Sequence, residues 1–583
     1  MPPQHRAILV HGGPIHTMAR PGATADAEAV LLVDGRVRAI GDRASLAAMG
    51  GPDCRSLDLQ GATALPGLVD THPHLLHFAM RRGAFVDLTD ARNHAEIHDR
   101  IAARAAEVPA GEWIYCTPVG EPWYFIRRSW RDLAERRLPD RWALDRAAPD
   151  HPVMIQAWTP VTPNVVAFNS RALRALAITD FIPDKVCAVE LEKDDDGRLT
   201  GIMRGPVNNM YCFDPYWTQI QSKLPPPKLD LAATTRAAMA DYNRMGVTCI
   251  YEAHNMVEPH IAAYAGLHEA GEMSLRVMAA MEVEPYAFAP WQPKTMAEFE
   301  AALQRARALN RDGDDWFRVC GATLSDGGPC GPGFLRIFEP FRGPDGTTIQ
   351  RAPRFISAEK SARFVAFCRE HGLRANFVAG AYLDIEDFLR AVEGDDGRDS
   401  IAASHWLMQH CILISPDQGE RLHALGFDVT TSLSFSWGKG ELYGERIGRH
   451  AWRDQVPVAR LLRTGLNVGC GSDWGPKNMF EHVALATTQE FGRHPACGPG
   501  HRNDGPDHAV SREEALALWT RRAGQVLRWD GVGTLATGGH ADLVAVDRDP
   551  LACPVEDLPA TEVLLTLSGG RVVHDSGALR LPD

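Results

Sequence analysis

The stretch "ALPGLVDTHPHLLHFAM", residues 64–80, decides the fold. Ala64 to Val69 is apolar and carries Pro66-Gly67 near its start. It is too short for a helix and reads as a buried strand. Side chains at i and i+2 of a strand point the same way. His72 and His74 are therefore expected to project together from the strand's C-terminal end. With 23 His in 583 residues, chance alone supplies about one His-x-His triplet. The context has to carry the inference, and here it is a strand end. Two neutral imidazoles in that place can share one cation.

Outward from this strand the chain alternates between two textures. "LAATTRAAMADYNRMG" (231–246) has apolar residues at three- and four-residue spacing and Gly246 as a stop, which predicts a helix. "VTCIYEAH" follows it as a strand. Then "SLRVMAAMEV", "FRVCGATLSD", "GLRANFVAG", "HCILIS", "FDVTTSLSF" and "LNVGCGSD" read as strands, and "SAEKSARFVAFCREHG" and "SPDQGERLHALG" as helices between them. Strand–helix repetition predicts a parallel sheet. With the first strand the count is eight, which predicts an α/β fold of the (β/α)8 TIM-barrel type, with active residues at strand C-termini. Residues from about 75 to 230 do not fit the repeat. They are rich in Trp, Pro and Arg and are expected to form a large cap insertion after the first barrel strand. Within them "LEKDDDGRLTG" (191–201) reads as a solvated hairpin turn.

The two chain ends share a third texture. "AILVHGGPIHTM" and "AEAVLLVDGRVRAIGD" near the start, and "ADLVAVDRDPL" and "EVLLTLSGGRVVHDSG" near the end, read as short strands with Gly and Asp-Gly turns. An isolated hairpin is marginal, so the ends are expected to pair into a composite β-sandwich. The expected division is 1–65 plus 531–583 for that domain and 66–530 for the barrel.

Bulk properties narrow the function. Hydrophobic content of 45% and charged content of 23% are those of a globular protein. The net charge is −13 with no basic cluster, which argues against nucleic acid as a partner. No apolar run of about 18 residues occurs, so no membrane span is expected. The start lacks a signal-peptide pattern. The 12 Cys are scattered without a C-x-x-C pair and read as reduced thiols of a cytoplasmic protein.

Four places put a metal-capable or acid–base residue at a predicted strand end: His72 and His74, Glu252 and His254, His410, and Asp473. Taken singly each has an ordinary reading, such as a core histidine, a structural Glu–His hydrogen bond or a helix cap at Asp473. Their recurrence at the same relative place on successive strands favours one shared mouth. His77 falls after the strand and reads as helix packing.

These motifs together resemble the amidohydrolase superfamily, in its N-substituted formamide deformylase-like branch, over nearly the whole chain. "LPGLVDTHPHLL" is similar to the family's first barrel strand, "RMGVTCIYEAH" to its second, "HCILISPDQGERLHALGFDVTTS" to its sixth and "VGCGSDWGP" to its eighth. "GVGTLATGGHADLVAVDRDPL" and "LSGGRVVHDSG" are similar to its closing β segments. The resemblance implies a metal-dependent hydrolase in which His72, His74, His410 and Asp473 hold a divalent ion, with Asp473 also shuttling protons. Two places depart from the pattern. The family's fourth-strand lysine is missing, with Ala322 in its place, and Asn376 stands where the fifth-strand histidine belongs. Both departures favour one ion over two, zinc being the expected metal, with Glu252 a further candidate ligand. Asn376 and Asp326 are expected to meet substrate.

The expected reaction is hydrolysis of a non-peptide C–N bond in an amide, formamide, carbamate or cyclic amide. Asp473 would be the proton acceptor, and His410 or His254 would stabilise developing charge. The aromatics between Trp113 and Trp217 suggest an apolar or aromatic small-molecule substrate. The sequence allows a homo-oligomer. Two other readings stay open: a non-hydrolytic decarboxylase, deaminase or isomerase on the same barrel, and a catalytically inactive binding barrel.

Overall fold

The computed structural model describes residues 7–579 apart from 121–127, 158–163, 210–213, 287–291, 327–334, 344–345, 394–397, 476, 492–500 and 504. Eight parallel strands run in sequence order through one sheet: β1 (Leu68–Asp70), β2 (Val247–Glu252), β3 (Arg276–Glu282), β4 (Phe317–Ser325), β5 (Ala375–Ala379), β6 (Leu407–His410), β7 (Asp428–Thr431) and β8 (Asn467–Cys470). The Thr71 N–H donates to the Cys470 carbonyl at 3.3 Å and brings β1 against β8. The expected barrel is therefore present. Its outer layer of Ile250, Val277, Phe317, Phe377 and Val429 packs against helices. Its interior is filled by Val69, Tyr251, Met278 and Leu407 and plugged by Val526 and Trp529.

Local chemistry explains the repeat. The helix Leu231–Arg244 is capped by Asp230, and Ala358–Glu370 by Ser357. Pro416–Leu425 opens on a Ser415 capping box with Pro at its first turn and closes on left-handed Gly426. Such caps satisfy end N–H groups that would otherwise lack partners.

Three expectations about strands change. The opening stretch is two strands: Thr63–Pro66 belongs to the terminal sheet and β1 to the barrel, with Gly67 between them. A Cβ on Gly67 would lie 2.2 Å from Thr248 Oγ1, so close backbone approach requires glycine there. His72 and His74 lie beyond β1, and their convergence does not come from strand alternation. It comes from a bend in which His74 takes a left-handed φ of 52°. The sixth strand is "LMQH", running into His410; the apolar "CILI" after it is a fully buried connection. Apolarity there marks burial and not a ladder.

The chain ends pair as expected. Leu543–Val546 runs antiparallel to Thr63–Pro66, and one sheet continues to Arg571–Asp575 on one side and Arg36–Gly41 on the other. Between β1 and β2 in the chain lies a further sheet, reaching from Ile114–Cys116 at one edge to Lys185–Val186 at the other. Its hairpin of Val189–Lys193 and Leu199–Gly205 turns at Gly197, as the acidic turn predicts. Among the described residues no helix is long and apolar enough to cross a membrane.

Candidate active site

The strand ends of β1, β6 and β8 each carry a residue in strained left-handed backbone: His74 at φ 52°, His410 at φ 74° and Asp473 at φ 46°. Such φ values are rare outside glycine and concentrate at functional sites. The three turns aim their side chains inward. His74 Nε2 lies 3.2 Å from Asp473 Oδ1, and His410 Nε2 lies 3.3 Å from His72 Nε2. One ligand atom each from His72, His74 and Asp473 fall within 4.8 Å of one another. All four residues are buried.

The surroundings hold these groups in place. His72 Nδ1 is 2.8 Å from Gln409 Oε1, which accepts its proton. Asp70 ties β1 to the turn after β8 by accepting from the His72 N–H at 3.0 Å and from Ser472 Oγ at 2.6 Å. Lys477 Nζ donates to Pro73 O at 3.0 Å, to Ser472 Oγ at 2.9 Å and to Asp473 O, bracing both ligand-bearing turns. Burial pulls Lys477 down to about 8, against the pull of Asp70 and Asp473. Burial also pushes the His72 imidazole down to about 4, with Asp473 opposing, and holds His410 well below its ordinary value. Both rings are therefore neutral at pH 7 and present lone pairs.

His254, just beyond β2, joins the cluster. Its ring centroid is 5.5 Å from His72, 5.3 Å from His74 and 5.5 Å from His410. Its Nδ1 lies 3.1 Å from Glu282 Oε2 at the end of β3 and 3.1 Å from Ser325 Oγ at the end of β4. The Asn255 N–H also donates to Glu282 Oε2.

Three expected site residues fall elsewhere. Tyr251 reaches into the barrel to Asn376 Oδ1 and Cys320 O, so its neighbour Glu252 faces the other way. Glu252 Oε1 accepts from the Leu76 N–H at 3.0 Å and the Tyr264 hydroxyl at 3.1 Å, outside the cluster. Asn376 faces inward but below the mouth, held by Tyr251 and by Ala322 O at 3.3 Å. Asp326 is committed to Arg354 at 2.8 Å and Ser361 at 2.9 Å. Gly327 lies outside the described residues. Strand alternation also corrects the two departures. Phe377 stacks on Phe388 of the helix Tyr382–Glu393 and so points outward. Ladder pairing then sets Thr323 with Asn376 and Ser325 with Val378 on the inner face. Ser325 and Val378, not Ala322 and Asn376, stand at the mouth.

Sequence reasoning missed Glu282, Gln409 and Lys477 and set His77 aside. His77 is the one with a readable signal, since it sits three residues after His74 at the start of the helix Leu75–Gly83. Aromatic rings wall the cluster: Trp474 against His74, Phe78 against Trp474, and Phe435 against His410. Of the cap aromatics, Trp217 is fully buried in cap packing, while 121–127 and 158–163 lie outside the described residues.

With the geometry in hand, the sequence over residues 55–574 matches the amidohydrolase family. The chain belongs to the amidohydrolase family. It is 24% identical over 575 residues to N-substituted formamide deformylase of Arthrobacter pascens, covering 97% of this chain and 98% of that one. It is 23% identical over 576 residues to the putative amidohydrolase YtcJ of Bacillus subtilis, covering 97% and 99%. In fold this amidohydrolase is similar to an uncharacterized metal-dependent hydrolase from Pyrococcus furiosus. The TM-score is 0.67 at 20% identity, covering 94% of this chain and 100% of the other. The donor set of the amidohydrolase site, three imidazoles beside one carboxylate with His72 and His410 neutral at pH 7, fits a divalent cation.

Proposed function

We propose that the protein hydrolyses a non-peptide carbon–nitrogen bond, in an amide, formamide, carbamate or cyclic amide. One divalent ion, zinc in this reading, would be held by His72, His74 and Asp473 with His410 beside them. The observation that carries the proposal is the convergence of three ligand atoms within 4.8 Å at the C-terminal mouth of the barrel, where such folds place their chemistry. The likeness to a formamide deformylase supports the bond type. A divalent cation there supplies Lewis acidity, lowering the pKa of water and polarising a carbonyl oxygen.

The chain's own residues supply the rest. Asp473 offers a carboxylate to take the proton of the attacking water. Glu282 accepts from His254 Nδ1, and His254 Nε2 accepts from Asn255 Nδ2 at 3.2 Å. Asp473 can pass the water's proton on to the leaving nitrogen, while His254, held by Glu282, stands beside the developing charge. Trp474, Phe78 and Phe435 favour an apolar or aromatic substituent beside the reacting bond.

Elemental analysis of protein purified without chelator should give near one equivalent of metal. N-substituted formamides and amides, assayed in ¹⁸O water, should release acid carrying solvent oxygen. Activity should vanish on chelation and return with zinc. Asp473→Asn should lower kcat by roughly 10²-fold with the fold intact. Metal-free protein with full activity, or near-normal turnover in the Asn variant, overturns the proposal.

A further inference from the structure

His74 has a second neighbour besides Asp473. Its Nδ1 lies 3.3 Å from Nδ1 of His77, and His77 Nε2 lies 3.2 Å from the backbone carbonyl of Asn255. The four groups form a chain: Asp473 carboxylate, His74, His77, Asn255 carbonyl. His74, His77 and Asp473 are each at most 2% exposed, so water does not substitute for a missing partner.

Counting protons along this chain fixes its directions. A carbonyl only accepts, so His77 Nε2 must carry the proton that faces Asn255. A histidine that binds a metal through Nε2 keeps its one ring proton on Nδ1, so a metal-bound His74 presents Nδ1–H to His77 Nδ1, 3.3 Å away, which accepts it. His74 Nε2, 3.2 Å from Asp473 Oδ1, is then the ring atom that faces the metal. In the opposite tautomer two lone pairs would face each other, or an N–H would stand where the cation belongs.

We propose that His77 is a positioning residue that accepts the Nδ1–H of His74 and so reserves His74 Nε2 for the metal, through a relay anchored on the Asn255 carbonyl. It rests on the reading of His72, His74 and Asp473 as metal ligands. Outer partners of this kind orient ligand histidines and fix their tautomer, and their loss costs metal affinity about 10- to 100-fold.

Two measurements test the relay. In zinc-loaded protein with ¹⁵N-labelled histidine, the His77 resonances, identified by their loss in His77→Asn, should show the Nε2–H tautomer. An Nδ1–H tautomer at His77 overturns the relay without any variant having to fold under altered packing. The second measurement is the zinc dissociation constant by chelator competition. His77→Leu should weaken binding about 10- to 100-fold. His77→Asn keeps an acceptor oxygen near the Nδ1 position and should recover most of that loss. Equal affinity of the Leu variant and wild type overturns the relay, and so does an Asn variant as weak as Leu, which would make ring bulk the cause. If wild type takes up no zinc, the metal reading itself falls. If wild type binds zinc, His74→Ala loses it and His77→Leu does not, the relay alone falls.

Discussion

Glu252 and Tyr251 are adjacent on β2, and their opposite directions decide which of them can serve the site. Tyr251 points into the barrel. Glu252 points between β2 and the helices and is 1% exposed. Burial pushes its carboxyl up to about 7, against the Leu76 N–H and Tyr264 O–H that favour the anion. The folded protein therefore holds a proton that the unfolded chain releases near 4.5. The resulting stabilisation is complete below about pH 4.5 and is lost as pH rises toward about 7. Glu252→Gln keeps an oxygen for Leu76 and Tyr264 and removes the titration. Thermal unfolding of metal-free protein should show wild type losing stability relative to the Gln variant across that range, by about 3 kcal/mol in all. A stability difference that does not change with pH would mean Glu252 is ionised in the fold throughout. The Glu252 expectation failed for a reason visible in its neighbour. A strand's period of two is legible in sequence, but which parity faces inward is not, and the ladder settled it. Glu282 was missed because its partner His254 is 28 residues away in the chain, and no local pattern joins them.

At the scale of elements, the barrel was legible because buried parallel strands are apolar runs and their helices carry caps and stops. What was not legible is how turns beyond the strands carry the site. β8 illustrates it. Gly471 follows the strand directly, and a Cβ there would lie 2.4 Å from His72 Cβ and 2.5 Å from the His72 backbone N. Backbone on the far side cannot swing away as a side-chain tip can. Gly471→Ala should therefore destabilise the fold by about 3 kcal/mol or more and weaken metal binding together with it, because His72 is what must move. Gly41 provides the control, since its added Cβ would meet nothing within 4 Å. Gly41→Ala should leave both unfolding midpoint and zinc affinity unchanged. If Gly471→Ala loses stability but keeps wild-type zinc affinity, His72 is held by something other than the β8 turn.

At the scale of the molecule, the barrel and the terminal sheet are joined by a buried ion pair. Arg276, the first residue of β3, donates Nε and Nη2 to the two oxygens of Asp542 at 2.7 and 2.9 Å. Asp542 precedes Leu543–Val546 in the terminal sheet. It also accepts from the Gly569 N–H at 2.7 Å, and its carbonyl takes the Gly67 N–H at 2.9 Å beside β1. One residue thus ties together both chain ends and two barrel strands. Sequence texture showed that the ends pair, but it held no sign of this tie, since Arg276 and Asp542 stand 266 residues apart. The pair is at most 3% exposed, so removing one charge strands the other away from water. Asp542→Ala should cost about 3–5 kcal/mol, while replacing both partners, as in Arg276→Met with Asp542→Leu, should cost much less. The two layers share strands at Gly67, so a denaturant titration of Asp542→Ala followed by ellipticity and by tryptophan fluorescence should show one coincident transition at lower midpoint. A terminal sheet that unfolds first while the barrel keeps its wild-type midpoint would show that the ion pair stabilises the sheet alone and that the barrel stands without it.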